Sequence, residues 1–501
     1  MADVDRRPDP HRDVPASGPG RVEVVCRMRS CSSEEISARC WRFRRTCSHV
    51  TCIEQRKQYN RRNAPMTTLP KGPTSNILVS LQGMLDPIGF TLRMRERYGD
   101  PMSCPKMNGK PVLATGSVEG LRSVFAVPPE NLDQMLGESF TAAMGESSLF
   151  ALSGARHTAM RKLLMPPFHG QRMRLYGKQI CDLALQHSRD LKPGQQLVAQ
   201  DLMHTISLQT IVHLVFGVTA PAEAARLEKL LEELRKSFSF GLNITLIIPW
   251  LRREFRGFGP WARRQRATRD LRSFLDPEIA RRRAEPAERT DILSLLLEAR
   301  QEDGTALDDQ QIFEQLHTLL FAGHSTTAGA LTWVLYFLGH APAVLRRLQD
   351  ELTALGADPE PEALAKAPYL EAVCNETLRL RPPSPGVGRK LNAPMKIAGY
   401  ELPAGAGVFA QIIWAHHDPA VFPEPEVFRP ERFLERTYSP FEFLPFGGGN
   451  RRCIGAAFAL YEMKLVLGTL LRSYSFELVS KKPVPAGLQG MPGSPVRVIV
   501  R

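Results

Sequence analysis

The chain has 501 residues, 43% of them hydrophobic and 23% charged, with a formal net charge of +13. That balance is globular and supports a large core, while the spread of the charge, with no basic-aromatic module, argues against nucleic acid and for a solvated or partner-docking surface. Nine cysteines include no CxxC pair, and the four beyond residue 65 are scattered, which points to a reducing, cytoplasmic setting rather than a disulfide framework.

Residues 1–65 differ from the rest. They hold five cysteines (Cys26, Cys31, Cys40, Cys47, Cys52), many arginines and little apolar periodicity. The cysteine spacings fit no usual zinc template, and neither a secretory signal nor a membrane span is present. The segment reads as a disordered extension or the product of an upstream start codon. Met66 then opens the part that carries the motifs.

From Asn76 to Gly99 the pattern is helical, closing on the C-cap-like Tyr98-Gly99-Asp100. Pro111–Thr115 reads as a short strand. Helices are expected over Arg174–Leu191, Leu197–Phe216 and Ala222–Phe240 from apolar residues at i, i+3 and i+4. An apolar interval broken by Gly and Pro runs from Gly241 to Trp261. The basic stretch Arg263–Arg283 reads as a helix with a solvated face. Gln310–His340 reads as one long apolar helix interrupted at Ala322-Gly323, and short strands with proline-rich loops follow Leu391. A last helix is expected over Ala456–Leu471. The balance is mainly α with small β pieces.

Four constellations stand out on this frame. His157 and Arg161, four apart, share one helical face. Gly323 lies inside the long helix, where glycine costs roughly 1 kcal/mol against alanine. The hydroxyls of Thr326 and Thr327 can bond back to carbonyls there and open a bulge. Glu376 and Arg379, three apart, can pair on one face, and Arg381-Pro-Pro-Ser-Pro follows them. Last comes Phe446-Gly-Gly-Gly449-Asn-Arg451-Arg-Cys453-Ile-Gly455, a lone cysteine in a glycine-rich loop before an apolar helix. Loop N–H groups and the positive helix end favour a thiolate. A solitary thiolate suits the axial position of a haem iron, to which it pushes electron density that favours O–O cleavage.

The last string resembles the haem-binding loop F-x-x-G-x-R-x-C-x-G of the cytochrome P450 family. Ala322-Gly323-His324-Ser325-Thr326-Thr327 resembles its oxygen-activation motif. Glu376-x-x-Arg379 and Phe428-Arg-Pro-Glu-Arg432-Phe433 resemble its structural motifs, in the family's order. The resemblance spans residues 68–501. It implies a cytochrome P450 fold, mainly α with a small β-rich lobe, over a catalytic domain at 66–501. It also implies haem b, iron protoporphyrin IX, with Cys453 as the metal ligand.

By the same resemblance Phe446, Gly449, Arg451 and Gly455 shape the cofactor loop, and Ala322 and Gly323 border the oxygen groove. His157, Arg161, Arg389 and Arg451 supply cations to the propionates. Glu376, Arg379 and Arg432 form a buried ion network that holds the cysteine loop. Thr326 carries the proton-delivering hydroxyl. Ser325 departs from the family pattern, which has an acid there: a serine relays a proton but does not titrate near neutral pH, so slower or leakier proton delivery is expected. The pocket would be lined by Leu149, Phe150, Phe238, Phe240, Leu319 and Val387, an apolar set suited to a fatty acid, a terpene or a similar molecule.

The implied reaction is insertion of one atom of O2 into a C–H or C=C bond by a monomeric, cytoplasmic enzyme. The chain ends 48 residues after Cys453, so electrons are expected from a separate ferredoxin and ferredoxin reductase, or a flavodoxin. Lys162 and Arg452 would meet that acidic partner. The two rival readings are a peroxide-using peroxygenase or isomerase and a non-catalytic haem-thiolate sensor.

Overall fold

The computed structural model describes residues 68–501, except 76–78, 80–81, 84, 169, 218–220, 238–251, 253–257, 286–288 and 488–489. The expected extension at 1–65 and the pocket residues Phe238 and Phe240 lie outside the described residues.

Helix α1 (Pro87–Tyr98) begins where the Asp86 carboxylate accepts from the Gly89 N–H at 2.9 Å, with Pro87 at its first position. It ends at Gly99, whose φ of +87° favours glycine. Asp86 therefore interrupts the helix expected from Asn76. Strands β1 (Met102–Met107) and β2 (Lys110–Thr115) form an antiparallel hairpin. Its turn, Asn108-Gly109, has both φ angles positive, the pairing that two-residue hairpins prefer. The Asn-Gly signal was in the sequence, although the expected strand covered only β2.

Next come α2 (Val118–Phe125), β3 (Leu132–Gln134), α3 (Gly154–Leu164) and α4 (Gly177–Ser188). The helix expected over Arg174–Leu191 is broken at Tyr176. Beside the break Gly177 packs closely, since a Cβ there would meet the Tyr461 hydroxyl at 2.3 Å. Strand β4 (Gln196–Val198) leads into α5 (Ala199–Phe216), then α6 (Pro221–Ser237) and α7 (Pro260–Ala284).

Helix α7 is not simply a solvated basic face. Arg264 and Arg282 are buried on the stripe of Ala267, Leu271, Leu275 and Ile279. Arg282 pairs with Asp291 at 2.6 Å, and Arg264 donates to the Ala143 carbonyl at 2.8 Å and to His317 Nε2 at 2.7 Å. The steps of three and four from 264 to 282 put both arginines on the apolar stripe, a signal already legible in the sequence.

Helix α8 (Asp309–Gly323) opens with a capping box between Asp308 and Gln311. Helix α9 (Ser325–His340) continues its line, and His324 separates the two at φ −107°, ψ −50°. The single helix expected over Gln310–His340 is thus two, with the break one residue past Gly323. Then follow α10 (Pro368–Leu380), β5 (Val387–Leu391), the hairpin of β6 (Met395–Ile397) and β7 (Tyr400–Leu402), β8 (Gly407–Ala410) and α11 (Ala456–Ser473). The closing strands are β9 (Phe476–Leu478) and β10 (Arg497–Val500).

Five strands form one sheet in the order β1-β2-β8-β5-β3, and β4-β10-β9 form a second. Within the larger sheet only β2 and β8 run parallel, with Thr115 opposite Ala410. Ile180, Ile211, Leu316, Leu331, Val373 and Val466 belong to the helical core. A second core under the large sheet collects Leu113, Leu121, Leu391 and Val408. The architecture is mainly α with a small β-rich lobe. Among the described residues no single helix is long and apolar enough to cross a membrane.

Candidate active site

The Cys453 loop is closed by its own backbone. The Cys453 N–H donates to the Phe446 carbonyl at 2.9 Å, and Gly449–Arg451 make one tight turn between them. Gly449 has φ +66°, and a Cβ there would lie 2.8 Å from the Phe125 carbonyl oxygen; one at Gly448 would strike the Phe125 ring at 2.8 Å. The glycines thus let the loop lie against the end of α2, a partner that no motif announced. Gly455 is the N-cap residue of α11 and donates its N–H to the Cys453 sulfur.

Cys453 is accessible at its surface yet surrounded by protein. Burial raises the thiol pKa, against lowering by the Gly455 N–H, Arg161 and Arg452. The lowering by the loop N–H is the effect the sequence led us to expect, and burial opposes it. A metal cation at the sulfur reverses that balance, since a coordinating thiol is deprotonated outright.

Around the loop, His157, Arg389 and Arg451 line one narrow cleft with Phe125 and Gly449. Arg389 donates to Gln134 Oε1 at 3.1 Å and to the Gly388 carbonyl at 2.9 Å. Arg451 donates to the Ser153 hydroxyl at 3.0 Å and to the Leu152 carbonyl. Burial lowers both guanidinium pKa values to about 10, and Asp133 attracts Arg451 from a distance. Arg161, half-buried one turn along α3 from His157, stands close enough to Cys453 to feel its charge. His157 itself is 3% exposed. Burial, then Arg451, Arg161 and Arg389, push its pKa down to about 3. That direction favours a neutral, hydrogen-bonding imidazole.

Arg389 and Arg451 in one cleft with His157, and Arg161 near the sulfur, none of them in an ion pair with a carboxylate among the described residues, make a site for a dianionic group. An accessible thiol within protein, glycines that admit close approach and unneutralised cations fit haem b and its propionates.

The break between α8 and α9 carries the second set. Thr326 donates to the Ala322 carbonyl at 2.9 Å, and Thr327 to that of Gly323 at 3.4 Å. Gly323 has a packing reason, because a Cβ would meet Ile211 Cδ1 of α5 at 2.7 Å. Ser325 is buried. His324 is buried too, with Nδ1 on the Leu320 carbonyl at 2.6 Å. The Ser207 hydroxyl of α5 donates to the His324 carbonyl at 3.2 Å and also bonds Glu462 of α11. Glu462 is 1% exposed, and burial pushes its pKa up to about 8. Sequence reading missed Ser207 and Glu462, which no local motif marks.

Glu376, Arg379 and Arg432 meet in one buried network. Arg379 grips both carboxylate oxygens of Glu376 at 2.7 and 2.9 Å, and Arg432 Nε reaches Oε1 at 3.1 Å. The Arg429 N–H adds a bond at 2.9 Å, and Arg379 also donates to the His416 carbonyl at 2.7 Å. His416 Nε2 in turn accepts from the Leu444 N–H at 3.0 Å, two residues before Phe446. The network so reaches the base of the cysteine loop.

The expected pocket residues are dispersed. Phe150 stacks on Phe140 at 5.3 Å and meets Phe321 edge-on at 6.4 Å. Phe140 was not expected there. Leu319 is buried in the helical core with Leu149 packed against it, whereas Val387 packs on the sheet core. A cavity of about 580 Å³ between α3 and the start of α8 holds none of the expected pocket residues except by proximity to Ser147.

The cytochrome P450 family profile matches residues 70–497. Cytochrome P450 137 of Mycobacterium tuberculosis is 36% identical over 399 residues, covering 78% of this chain and 80% of that protein. Cytochrome P450 135B1 of Mycobacterium bovis is 34% identical over 409 residues, covering 81% and 84%. The solved structure of retinoic acid-bound cyanobacterial CYP120A1 superposes with a TM-score of 0.75 at 26% identity, covering 87% of this chain and all of that one. With the cysteine loop, the arginine cluster and the broken helix in the same fold, the chain belongs to the cytochrome P450 family of haem-thiolate monooxygenases.

Proposed function

We propose that Cys453 is the axial thiolate of haem b, and that the enzyme hydroxylates or epoxidises an apolar, lipid-like substrate. Bound there, the haem supplies two-electron activation of O2. The observation that carries this reading is the accessible Cys453 thiol, held by the Gly455 N–H with Arg161 nearby. Arg389 and Arg451 hold the propionates, and neutral His157 donates a hydrogen bond to them. Phe446, Gly449 and Gly455 keep the loop close to the ring. Ala322 and Gly323 border the oxygen side, where the Thr326 hydroxyl holds a proton for the reduced oxygen.

Phe140, Phe150 and Phe321 give the apolar wall that favours a terpenoid or fatty acid over a polar metabolite. The retinoic acid in CYP120A1, an isoprenoid carboxylic acid, supports the terpenoid choice. Exposed Lys162 and Arg452 on the cysteine side suit an acidic ferredoxin, fed by its reductase, in the cytoplasm. The 66–501 segment is the catalytic domain, preceded by an extension without chemistry.

The carbon monoxide difference spectrum of the reduced protein tests the ligand. The parent is expected to give the long-wavelength Soret band of a thiolate-bound haem, and Cys453→Ser to lose it. An unchanged band in Cys453→Ser would overturn the assignment. A spin-state titration with isoprenoid and straight-chain acids then ranks the substrates. Ser325→Glu, which restores an acid, is expected to lower peroxide release per NADPH by about threefold or more, within the range of general acid–base effects. Equal release would show that serine is not the leak.

A further inference from the structure

His324 presents an unexplained group. Its Nδ1 faces a carbonyl oxygen, which only accepts, so Nδ1 carries the proton and Nε2 is the base. That Nε2 is buried and has no partner. Beside it lies the His204 ring of α5, centroids 5.1 Å apart at 59°. His204 Nε2 meets Glu232 of α6 at 3.2 Å, and the Glu232 carboxylate is gripped by Arg235 at 2.6 and 2.7 Å. Glu232 therefore stays ionised, so neutral His204 carries its proton on Nε2 and leaves Nδ1 basic. Side-chain exposure is 16% for His204 and 29% for Glu232. The row thus runs from solvent, through a half-buried imidazole, to a buried one at the break that bears Ser325 and Thr326.

We propose that His204 and His324 form a proton path from the surface to the α8/α9 break, providing protons that Ser325 passes on but does not supply. The inference rests on the reading of Thr326 as the proton-delivering hydroxyl. Each step moves one proton and no electron. His204 takes a proton from solvent and is held as imidazolium by Glu232. Its ring then turns to bring the Nδ1 proton to His324 Nε2, which has no partner at rest, and transfer returns His204 to its first tautomer. His324, then protonated on both nitrogens, turns its ring to face the Ser325 and Thr326 hydroxyls, releases the Nε2 proton there, and turns back with the Nδ1 proton on the Leu320 carbonyl, as it began.

The surrounding charges suit a conduit rather than a store. Burial, aided by His204, pushes the His324 pKa down to about 3, so its cation sheds a proton readily. The His204 pKa is lowered by burial and Arg235, with Glu232 and Asp201 opposing. Glu462, reached through Ser207, faces the same break but is fully buried and offers no route to solvent. The pair His204–His324 is the titratable set around the break that reaches the surface.

The test uses the full-length, haem-loaded protein with its reductase system. His324→Leu and His204→Asn are each expected to raise peroxide release per NADPH by about threefold or more and to enlarge the solvent deuterium isotope effect on turnover. Adding Ser325→Glu to His324→Leu is expected to restore coupling, which a merely structural loss at 324 would not allow. A second readout needs no turnover: exchange of the His324 ring C2–H, followed by mass spectrometry against pH, shifts in His204→Asn if the rings share a proton. The carbon monoxide spectrum of each variant reports intact thiolate ligation. If His324→Leu misfolds, the surface-side His204→Asn carries the test alone. Parent-like coupling and unshifted exchange in His204→Asn, with Thr326→Val uncoupled, overturns the path and leaves the role of Thr326 standing. Parent-like coupling in Thr326→Val as well overturns both.

Discussion

Arg379→Ala is expected to lower the unfolding free energy by about 3–5 kcal/mol, because it strands a carboxylate in the core. Glu376 and Arg379 are both 0% exposed, so water does not replace the lost guanidinium. Four hydrogen bonds converge on Glu376, two of them from Arg379. The His416 carbonyl loses its donor as well. Since His416 Nε2 accepts from Leu444 ahead of the cysteine loop, haem retention should fall along with stability. Arg379→Lys is expected to rescue little, because one ammonium does not reproduce a bidentate fork plus a third bond. Denaturant unfolding of the haem-loaded protein measures the first effect, and haem content after gel filtration the second. A loss below about 1 kcal/mol would mean that Arg432 and the Arg429 N–H suffice to hold Glu376.

Glu462→Gln should do the opposite. Ser207 bonds the His324 carbonyl and Glu462; its bond lowers the Glu462 pKa, but burial outweighs it. The folded pKa of about 8 lies above the ordinary value of 4.5. The native state therefore holds this proton to higher pH than the unfolded chain does. Stability from this group is greatest below pH 4.5, declines as pH rises from 4.5 to 8, and levels off above 8. At pH 7 the accumulated cost is on the order of 3 kcal/mol. Glutamine keeps a donor for Ser207 and has no charge to lose, so the variant should be more stable at neutral pH and show a flatter profile across that window. Thermal unfolding of both proteins at several pH values checks it, and parallel curves would sink the idea of a neutral Glu462.

What the sequence determined was everything that chemistry confines to a short span. A thiol in a closed loop needs Phe446, Gly449 and Cys453 within eight residues, so the haem site is legible as a string. Glu376 and Arg379 must be three apart to share a helix face, and the Asn108-Gly109 turn needs two neighbours. The tertiary structure decided what depends on burial. The His157 pKa is lowered by burial first and then by three arginines from separate segments. Burial raises the Cys453 thiol pKa against the Gly455 N–H, Arg161 and Arg452. Leu319 is core and Phe140 stacks on Phe150 because of which helices pack beside them. Ser207, Glu462, His204 and His324 come together only where α5, α11 and the α8/α9 break meet. Desolvation and Coulomb interactions act through space over a few ångströms, whereas sequence patterns report only the neighbours that a helix or strand period brings together.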